Sequence, residues 1–455
     1  MLSKSRGLDE WNIDELLSYG DIEAKKKALL LAEEALKASN PYNSVYDRIR
    51  VVGDTIVIGS YSFPIRGGIY VVAIGKAACS MAKAVEDKLG DKIVDGVAIT
   101  KYGYKIPLKY IKVVEAGHPI PDENSLKGAE EALRIAKKVR ENDILFFLIS
   151  GGGSALFVYP ENDLSLNDII TVNELLLKSG AKIHEINVVR KHLSRVKGGK
   201  FAKLVRGTLI SLILSDVVGD KIESIASGPT SKDPSTFSDA FRVLVNYGLL
   251  DKIPQRVRSF IEKGMRGEVE ETLKEDLPNV YNIIVGSVKL ACEAAAKKAA
   301  QLGLKPYILT TTLEGEAKDA AIAFGSIIEE IKRYNRPFST PCAIIAGGET
   351  TVTIYGEPGL GGPNQEFALS IARKIKDLDN VAVLALDTDG TDGPTDAAGG
   401  LVDSKTYYRL INAGIDIEDV LNRHDSYNAL KKCNALLVTG PTYTNVNSIY
   451  IAVIL

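Results

Sequence analysis

The sequence predicts two α/β domains: an N-terminal, Rossmann-like domain with a doubly wound parallel sheet and a C-terminal domain with a mixed sheet. Short β-branched runs alternate with longer amphipathic segments almost throughout the chain, which is typical of βαβ units. The 455 residues suffice for two or three domains, since a domain usually takes about 100–200 residues. The 45% hydrophobic and 25% charged residues are those of an ordinary globular protein and exclude disordered and fibrous classes.

Composition also limits the partners and the compartment. A net charge of −2 provides no basic field for binding nucleic acid. No apolar run reaches the roughly 18 residues of a membrane span, and the first residues lack the apolar core of a signal peptide. The four cysteines lie far apart without a CxxC motif, which argues for a reducing cytoplasm and against zinc or disulfides. We therefore expect a cytoplasmic enzyme with a small-molecule substrate and with neither nucleic acid nor a membrane as partner.

The first domain is predicted from strands that alternate with helices. The predicted strands cover residues 69–74, 94–100, 111–115, 143–149 and 208–214. Residues 77–89 and 124–140 have helical periodicity, and Asp122 or Asn124 suits the N-cap of the second helix. Residues 231–276 are helical, polar and charged without a buried strand, so we interpret them as the connection between domains. The first domain is therefore predicted over residues 1–275.

The second domain is predicted over residues 276–455, where another series of apolar strands begins. These strands cover residues 281–286, 307–311, 342–347, 350–355, 381–386, 435–438 and 449–454. The two strands on either side of Gly348–Glu349 are typical of a hairpin, which would make this sheet mixed. We expect the active site in the cleft between the two domains.

Two candidate anion sites follow buried strands, at the positions where doubly wound folds bind their ligands. Lys76 could reach a phosphate or a carboxylate from the end of the first strand, and a solvated lysine is an equally good interpretation. The second candidate is the loop that consists of Ser150, Gly151, Gly152, Gly153 and Ser154. Its glycines permit positive φ and close approach of a ligand to the backbone, which favours an anion-binding loop over a plain tight turn.

A basic segment and an aspartate are further candidates. If residues 187–199 are helical, Arg190, Ser194 and Lys197 share one face. That face would suit a polyanion, although a solvated basic stripe is the alternative. Asp216 follows a buried strand, where a carboxylate could bind a metal, contact a substrate hydroxyl or cap the following turn.

The strongest candidate is a cluster of aspartates that begins at the end of the strand 381–386. Four carboxylates lie between Asp387 and Asp396 and repel one another unless a cation or hydrogen-bond donors neutralise them. The spacing approaches that of an EF-hand, but Asp392 stands where the glycine of that loop belongs. Mg²⁺ shared with phosphates fits better, so we assign Asp389 and Asp392 as its ligands; ordinary turn chemistry is the alternative.

Two more polar segments offer neutral hydrogen-bonding groups for a substrate or a nucleotide. Residues 359–366 are rich in glycine and open a helix, with Asn364 and Glu366 as candidate substrate-binding or phosphate-binding residues. Residues 439–447 are rich in hydroxyl and amide groups. Turn chemistry explains either segment about as well. For His118, a structural role in a proline-fixed turn is the favoured interpretation.

In this order, the segments resemble the class II glycerate kinases, whose C-terminal part is called the MOFRL domain. The resemblance runs from about residue 70 to the C-terminus and rests on the stretches AIGKAA, AGHPIPDENS, ISGGGSAL, NVVRKHLSRVKGGK, LSDVVGD with IASGPT, AGGETTV, GGPNQEFAL, DTDGTDGPTDAAGG and TGPTYTNVN. It implies two α/β domains with the active site in their cleft, and transfer of the ATP γ-phosphoryl group to D-glycerate with Mg²⁺. Members of archaeal type are similar in making 2-phosphoglycerate, and relatives have also been labelled hydroxypyruvate reductases.

The resemblance also implies site residues. The positions regarded as active-site residues in the family fall on Lys76, Asp216 and Asp389. The family usually has an arginine in GGRNQE, regarded as a catalytic cation, where this chain has Pro363. Proline supplies neither charge nor an N–H group, so that role is either empty in this chain or taken by another cation, for which Arg190 and Lys197 are the candidates.

Phosphoryl transfer requires positioning and neutralisation of charge rather than covalent chemistry by the protein. We assign Lys76 to the transferring phosphoryl group or the glycerate carboxylate, and Asp216 to orienting or deprotonating the acceptor hydroxyl. The loop Gly151–Ser154 would cradle an anion. D-glycerate is the expected partner molecule, with ATP and Mg²⁺ as cofactors, and the chain could form a homodimer. The 2- or 3-position of phosphorylation and the domain that binds ATP stay open.

Two other functions compete with the kinase. One is a hydroxypyruvate reductase that uses NAD(P)H, against which stand the missing GxGxxG fingerprint and the aspartate cluster, which hydride transfer does not require. The other is a non-catalytic sensor of a small molecule. The clustered lysine and aspartate residues disfavour the sensor.

Overall fold

The computed structural model describes residues 7–455 and divides into two compact units. The central unit is Ser44–Val285, and the composite unit combines the described part of Met1–Asn43 with Gly286–Leu455. These units differ from the predicted division at residues 275 and 276. The N-terminal segment belongs to the same unit as the C-terminal part of the chain. The strand predicted over residues 281–286, as the first strand of the second domain, belongs up to residue 285 to the central unit.

The N-terminal segment is helical and forms part of the composite unit. Its α-helices are α1 (Ile13–Leu16), α2 (Ile22–Ala38) and α3 (Pro41–Tyr46), the last of which spans the boundary between the units. Helix α2 buries apolar residues at helical spacing, from Ala24 through Ala28 to Ala35. The helix packs against strands and a helix of the C-terminal part of the chain.

The central unit is built on a six-stranded sheet, and the predicted strands of the first domain are confirmed. The strands are β1 (Ile49–Val52), β2 (Thr55–Ile58), β3 (Tyr61–Pro64), β4 (Ile69–Ile74), β5 (Ile93–Lys101), β6 (Lys112–Ala116), β7 (Ile144–Ile149), β8 (Thr208–Leu214) and β9 (Val280–Gly286). The helices are α4 (Ala78–Leu89), α5 (Glu123–Lys138), α6 (Gly153–Leu156), α7 (Leu166–Lys178), α8 (Ile183–His192), α9 (Phe237–Asn246) and α10 (Gln255–Met265). Short 3-10 helices lie at Gly90–Lys92, Ala202–Leu204 and Ile225–Ser227, and another at Leu8–Glu10 in the composite unit.

The large sheet of the central unit has the strand order β6-β5-β4-β7-β8-β9. Strand β4 pairs in parallel with β5 and β7, β5 with β6, and β7 with β8. Every residue of β7 is buried, as expected for a strand covered on both faces. Helix α5 begins where the sequence predicts, because the Asp122 carboxylate accepts the N–H groups of Asn124 and Ser125, each at 3.0 Å.

A three-stranded antiparallel sheet formed by β1, β2 and β3 precedes the large sheet and was not predicted. Two-residue turns join its strands, and their glycines have φ of +57° at Gly53 and +60° at Gly59, which suits tight hairpins. Because β1 and β3 expose most of their residues, they lack the continuous apolar run on which the prediction depends.

The interpretation of residues 231–276 as a connection between domains is wrong. Helices α9 and α10 lie within this segment, and they pack with α7 and α8 into one apolar cluster of the central unit. Phe237 is fully buried in that cluster, 4.7 Å from the His192 ring and 5.9 Å from the Phe260 ring. Charged residues on the outer faces of these helices conceal an ordinary amphipathic pattern.

The composite unit contains a second six-stranded sheet, which is mixed as predicted. Its strands are β10 (Lys305–Glu316), β11 (Cys342–Thr351), β12 (Val381–Asp387), β13 (Gly399–Asp403), β14 (Leu436–Leu437) and β15 (Ser448–Ile454), in the order β10-β11-β15-β12-β13-β14. Its further helices are α11 (Val288–Gln301), α12 (Ala317–Tyr334), α13 (Pro363–Lys374), α14 (Thr406–Asn412), α15 (Ile417–Asn422) and α16 (Ser426–Lys432). Strands β10 and β11 are parallel and the other pairs are antiparallel.

The hairpin predicted at Gly348–Glu349 is wrong, because β11 continues through both residues and pairs there with β10. Gly348 has φ of +154°, and a Cβ at this residue would lie 2.1 Å from the Leu313 carbonyl oxygen. The glycine therefore allows two strands to approach rather than one strand to turn back. The sheet is mixed because its first pair is parallel.

In the part of the chain that the structure describes, no helix is both long enough and apolar enough to cross a membrane.

The buried Lys25–Asp403 ion pair gives a test of the N-terminal segment's place in the composite unit. Lys25 Nζ lies 3.1 Å from Asp403 Oδ2, and both side chains are fully buried. Lys25→Met leaves the Asp403 carboxylate buried without its cation, which costs about 3–5 kcal/mol. We expect thermal unfolding to shift to a clearly lower temperature, whereas Lys26→Met at the exposed neighbouring position should leave it unchanged. Equal melting temperatures for the two variants would contradict this packing.

Candidate functional site

Polar residues follow four strands of the central unit at one edge of its sheet. Lys76 follows β4, His118 follows β6, Ser150 follows β7 and Asp216 follows β8. Because these strands belong to one parallel sheet, their carboxyl ends meet at the same edge. The predicted residues Lys76 and Asp216 and the loop from Ser150 to Ser154 are thus brought to one side of the unit.

The ends of β4 and β7 are held together by their backbones. The Lys76 N–H group donates to the Gly151 carbonyl oxygen at 2.9 Å. Ser150 Oγ accepts from the Ala77 N–H group at 3.1 Å and donates to the Ile74 carbonyl oxygen at 3.2 Å. A Cβ at Gly75, where φ is +111°, would lie 2.3 Å from Ser150 Oγ. Glycine at residue 75 is therefore required for this close approach.

The loop Gly151–Gly152 is surrounded by the side chains of Lys76, His118 and Asp216. A Cβ at Gly151 would lie 2.3 Å from Asp216 Oδ2. A Cβ at Gly152, where φ is +85°, would lie 3.0 Å from the His118 ring and 3.3 Å from Lys76 Cγ. The stem of a lysine, a carboxylate and an imidazole thus border two glycines, and the bare backbone beside a lysine would suit a small anion.

His118 lies beside this loop, although the sequence analysis favours a structural turn for it. Burial, and then the nearby Lys76 cation, lower the pKa of His118 to about 4, so the imidazole is neutral at pH 7. The capping aspartate of that turn is present, since Asp122 caps α5; the position of the imidazole beside Gly152 depends on residues distant in the chain. The position of His118 directly after a parallel strand was the one available indication.

Arg190 and Lys197 lie beside the segment that follows the loop. Lys197 Nζ donates to the carbonyl oxygens of Ser154 at 2.8 Å and Phe157 at 3.0 Å. Both lysine bonds therefore hold the last turn of α6 in place. Arg190 Nε donates to Asn173 Oδ1 at 2.8 Å, and both cations line a cavity of about 10 Å³ that has room for a water molecule.

The prediction that one helix presents Arg190, Ser194 and Lys197 is wrong, since α8 ends at His192. Ser194 Oγ instead donates to the Tyr159 carbonyl oxygen at 3.3 Å. Burial, and then the charge of Arg190, lower the pKa of Lys197 to about 7. Lys197 is thus an internal support of the segment after the loop, and the solvated stripe considered as the alternative is also wrong for this lysine, which is 2% exposed.

In the composite unit, the aspartate cluster begins at the end of β12. Asp387 Oδ1 accepts from the Asp389 N–H group at 3.1 Å. Asp389 Oδ1 accepts from both the N–H group and the hydroxyl of Thr391, each at 2.8 Å. Burial, and then the neighbouring Asp389 carboxylate, raise the pKa of Asp387 to about 8. Asp387 is a second residue to which the sequence analysis gave no role of its own.

Asp392, predicted as a metal ligand, caps the N-terminus of α13. Its carboxylate accepts from the N–H group of Asn364 at 3.1 Å and from the N–H group of Gln365 at 2.8 Å. Burial raises the pKa of Asp392 to about 6, although these hydrogen bonds favour its charged form. Within residues 7–455, no group of three or more His, Cys, Asp or Glu side chains is arranged to hold a metal ion. The pairing of Asp389 with Asp392 as magnesium ligands stays a prediction.

Asn364 and Glu366, predicted to bind substrate or phosphate, are buried in the first turn of α13. Asn364 Nδ2 donates to Asp392 Oδ1 at 3.1 Å and to Ser448 Oγ at 2.9 Å. Glu366 Oε1 lies 2.7 Å from His424 Nδ1. Pro363 is the first residue of the helix, where its missing N–H group costs nothing. Both predicted residues therefore have structural partners in this unit.

The hydroxyl-rich and amide-rich segment 439–447 holds the aspartate loop. Thr388 Oγ1 donates to the Asn447 carbonyl oxygen at 2.7 Å and accepts from the Val446 N–H group at 2.8 Å. Asn447 Nδ2 donates to Glu349 Oε2 at 2.9 Å. The amide of Asn447 and the carboxylate of Glu349 therefore lie near the end of β12. Their oxygen atoms are of the kind that hard cations bind.

Comparison with known proteins extends over almost the whole chain. Residues 27–262 match a domain of unknown function, DUF4147, and residues 342–448 match the MOFRL family. The chain is 60% identical to a glycerate 2-kinase of Pyrococcus horikoshii over 95% of this chain and 98% of the relative. It is 44% identical to a D-glycerate 2-kinase of Thermotoga maritima over 94% of this chain and 98% of the relative. A crystal structure of a Pyrococcus horikoshii protein superimposes with a TM-score of 0.89 at 60% identity, covering 94% of this chain and 98% of the other.

The raised pKa of Asp387 predicts a specific dependence of stability on pH. The folded protein holds this proton up to about pH 8, whereas an unfolded aspartate loses it near pH ~4. The stability that the folded state gains from the proton is therefore complete below pH ~4 and is lost as the pH rises towards 8. Asp387→Asn should raise the melting temperature in EDTA, by an amount that grows between these two pH values.

The control is Asp9→Asn, which alters an exposed aspartate of the same unit. Its melting temperature should follow that of the unaltered protein at every pH. A stabilisation by Asp387→Asn that does not change with pH would show that Asp387 is already ionised in the folded state.

Proposed function

This chain belongs to the glycerate 2-kinase family, and we propose from that premise that it transfers the γ-phosphoryl group of ATP to D-glycerate, forming 2-phosphoglycerate and ADP. The observation that carries the proposal is the convergence of Lys76 and Asp216 on the side-chain-free loop Gly151–Gly152. Relatives named glycerate 2-kinases that share 60% and 44% of the residues over nearly the whole chain support the choice of substrate.

Lys76 and the loop supply the positive potential that a phosphoryl group or a carboxylate needs. The lysine backbone is fixed, because its N–H group bonds to Gly151 and its carbonyl oxygen accepts from Thr100 Oγ1 at 3.2 Å. A compact ammonium held beside a glycine loop neutralises charge without reorganising during the reaction. Lys197 and Ser227 both hold Ser154, the last residue of the loop. Lys197 Nζ donates to its carbonyl oxygen, and Ser227 Oγ lies 3.0 Å from its Oγ.

Asp216 is the group that orients the acceptor hydroxyl. The hydroxyl oxygen forms a bond to the γ-phosphorus while the bond from that phosphorus to the bridging oxygen breaks, and ADP leaves. The hydroxyl proton passes to the Asp216 carboxylate or to water as the new bond forms. The position of the carboxylate supports this role, because it occupies the space beside Gly151 that a side chain there would fill.

The donor groups at the end of β12 fit a magnesium ion. Asp387 and Asp389 would hold it in preference to the pair of Asp389 with Asp392, because Asp392 caps α13. Burial and Asp389 raise the pKa of Asp387, and a hard cation would displace its proton and neutralise both carboxylates. Mg²⁺ commonly binds one or two carboxylates and completes its shell with water and phosphate oxygens, so a preformed group of three protein ligands is not needed. When bound, the ion would neutralise the charge of the polyphosphate.

We also propose a cytoplasmic location. All four cysteines are buried free thiols, which is typical of a protein from a reducing compartment.

A product assay tests the proposed function directly. The protein is incubated with Mg-ATP and D-glycerate, ADP release is followed, and the product is identified by phosphorus NMR. We expect ADP release that depends on D-glycerate, and 2-phosphoglycerate as the product. Formation of 3-phosphoglycerate would contradict the position of transfer, and NADH oxidation that depends on hydroxypyruvate would overturn the kinase in favour of the reductase.

Lys76→Met separates catalysis from structure. Loss of one electrostatic stabiliser should lower turnover by roughly 10²–10³. Because Lys76 precedes α4 by two residues, a cation there opposes the helix dipole by about 0.3–1 kcal/mol at most, so the melting temperature should stay equal or rise slightly. Lys76→Arg should recover little activity, since a planar guanidinium on a longer stem does not replace a compact ammonium.

Lys137→Met, at an exposed position of α5, is the matched control and should keep full turnover. If Lys76→Met retains more than about a third of the unaltered turnover, Lys76 has no part in the mechanism.

A further inference from the structure

The imidazole of His118 borders the loop of the proposed acceptor site but has no role in the mechanism above. A Cβ at Gly152 would lie 3.0 Å from both Cδ2 and Nε2 of this ring. The same point lies 3.3 Å from Lys76 Cγ. The Nε2 edge of the imidazole therefore faces the space beside the Gly152 backbone, next to the lysine.

The turn that carries His118 is anchored on both sides. The N–H group of Gly117 donates to the Asp122 carboxylate, which also caps α5. Tyr102 Oη donates to the same carboxylate at 2.7 Å. Asn124 Nδ2 donates to the Glu115 carbonyl oxygen at 3.0 Å, just before the turn. These bonds fix the backbone around His118. Binding of a ligand therefore loses little additional conformational entropy in this turn.

The His118 ring has no hydrogen-bond partner among residues 7–455, and this distinguishes it from the other buried or half-buried histidines. His192 contacts the Val188 carbonyl oxygen at 2.7 Å and Glu271 at 3.1 Å. His424 contacts Glu366 at 2.7 Å. A half-buried imidazole that keeps its nitrogens unused within the chain is available to a ligand.

The charge around His118 selects the kind of group that it can bind. Burial, and then the Lys76 cation, lower the pKa of His118 to about 4. At neutral pH the ring is therefore uncharged and has one N–H donor and one acceptor nitrogen. A neutral ring beside a lysine does not compete for the anionic part of a ligand, but it can donate to or accept from a hydroxyl group.

We propose that His118 binds the acceptor through Nε2, which forms a hydrogen bond with a hydroxyl of a small hydroxycarboxylate while Lys76 binds the anionic group of the same ligand. The inference rests on the proposed function and deepens it, because it names a residue that recognises the acceptor. His118 acts here as a binding residue and takes no proton. The pH profile of turnover is accordingly the same with and without this imidazole between pH ~6 and ~9.

The first test compares His118→Phe with His118→Gln. Phenylalanine keeps a ring but loses both nitrogens, and we expect the KM for D-glycerate to rise roughly 10-fold, the size of one hydrogen bond. The KM for ATP should stay within about 2-fold, and glutamine should restore most of the affinity for D-glycerate. His184→Phe, at an exposed position of α8, is the matched control.

Two kinetic outcomes overturn the inference. One is an unchanged KM for D-glycerate in His118→Phe at an unchanged melting temperature. The other is a fall in kcat alone, accompanied by loss of a titration step that the unaltered enzyme shows, because that result would make His118 a base instead of a binding residue.

A second test does not depend on turnover. The chain contains four histidines, so the ring signals of isotopically labelled histidine can be assigned by comparison with His118→Gln. Adding D-glycerate without nucleotide should shift the His118 signal and leave that of His184 in place. No shift of His118 at saturating D-glycerate overturns the inference.

The two tests also distinguish the two proposals. If the unaltered protein phosphorylates D-glycerate and His118→Phe behaves like the unaltered protein, the inference fails while the proposed function stands. If D-glycerate shifts the His118 signal but no phosphorylated product forms, the proposed function fails and His118 remains the residue that binds the hydroxycarboxylate.

Discussion

The close approach of β4 and β7 at their carboxyl ends is the contact on which the central unit's site depends. The Lys76 N–H group donates to the Gly151 carbonyl oxygen. Residue 75 lies so close to Ser150 that only glycine fits there. This contact sets the position of the Lys76 backbone relative to the loop. Because the loop itself has no side chains at Gly151 and Gly152, Asp216 and His118 can reach its backbone from neighbouring strands. Any side chain at these glycines would separate the charged groups.

The composite unit has a comparable dependence on a buried polar network. The backbone after β12 carries Asp387 and Asp389, and Thr388 between them ties this backbone to the segment that precedes β15. Asp392 caps the N-terminus of α13. These aspartates therefore have different roles. Asp392 caps a helix, whereas Asp387 and Asp389 remain close to each other, and the charge of Asp389 contributes to the raised pKa of Asp387. The proposed magnesium site depends on this division of roles.

The sequence was sufficient to predict the apolar strands, because buried parallel strands such as β7 are continuous apolar runs that require no knowledge of their neighbours. It was also sufficient to predict that Lys76 and Asp216 lie at one edge of the sheet, since residues at the ends of parallel strands converge; their roles stay predictions. It was insufficient where a role depends on a partner distant in the chain. The Asp403 partner of Lys25, the helix capped by Asp392 and the carbonyl groups bound by Lys197 are such cases. The position of His118 beside the loop is another such case, because it depends on Gly152 and Lys76.

The central claim is that a small anionic ligand binds at the loop Gly151–Gly152, against Lys76. The most direct measurement is a crystal structure of the protein with D-glycerate, determined alongside a crystal of Lys76→Met treated in the same way. The account predicts D-glycerate at this loop, with an anionic or hydroxyl oxygen within hydrogen-bond distance of Lys76 Nζ, and loss of the ligand in the variant. D-glycerate bound elsewhere, with this loop free of ligand, would contradict the account.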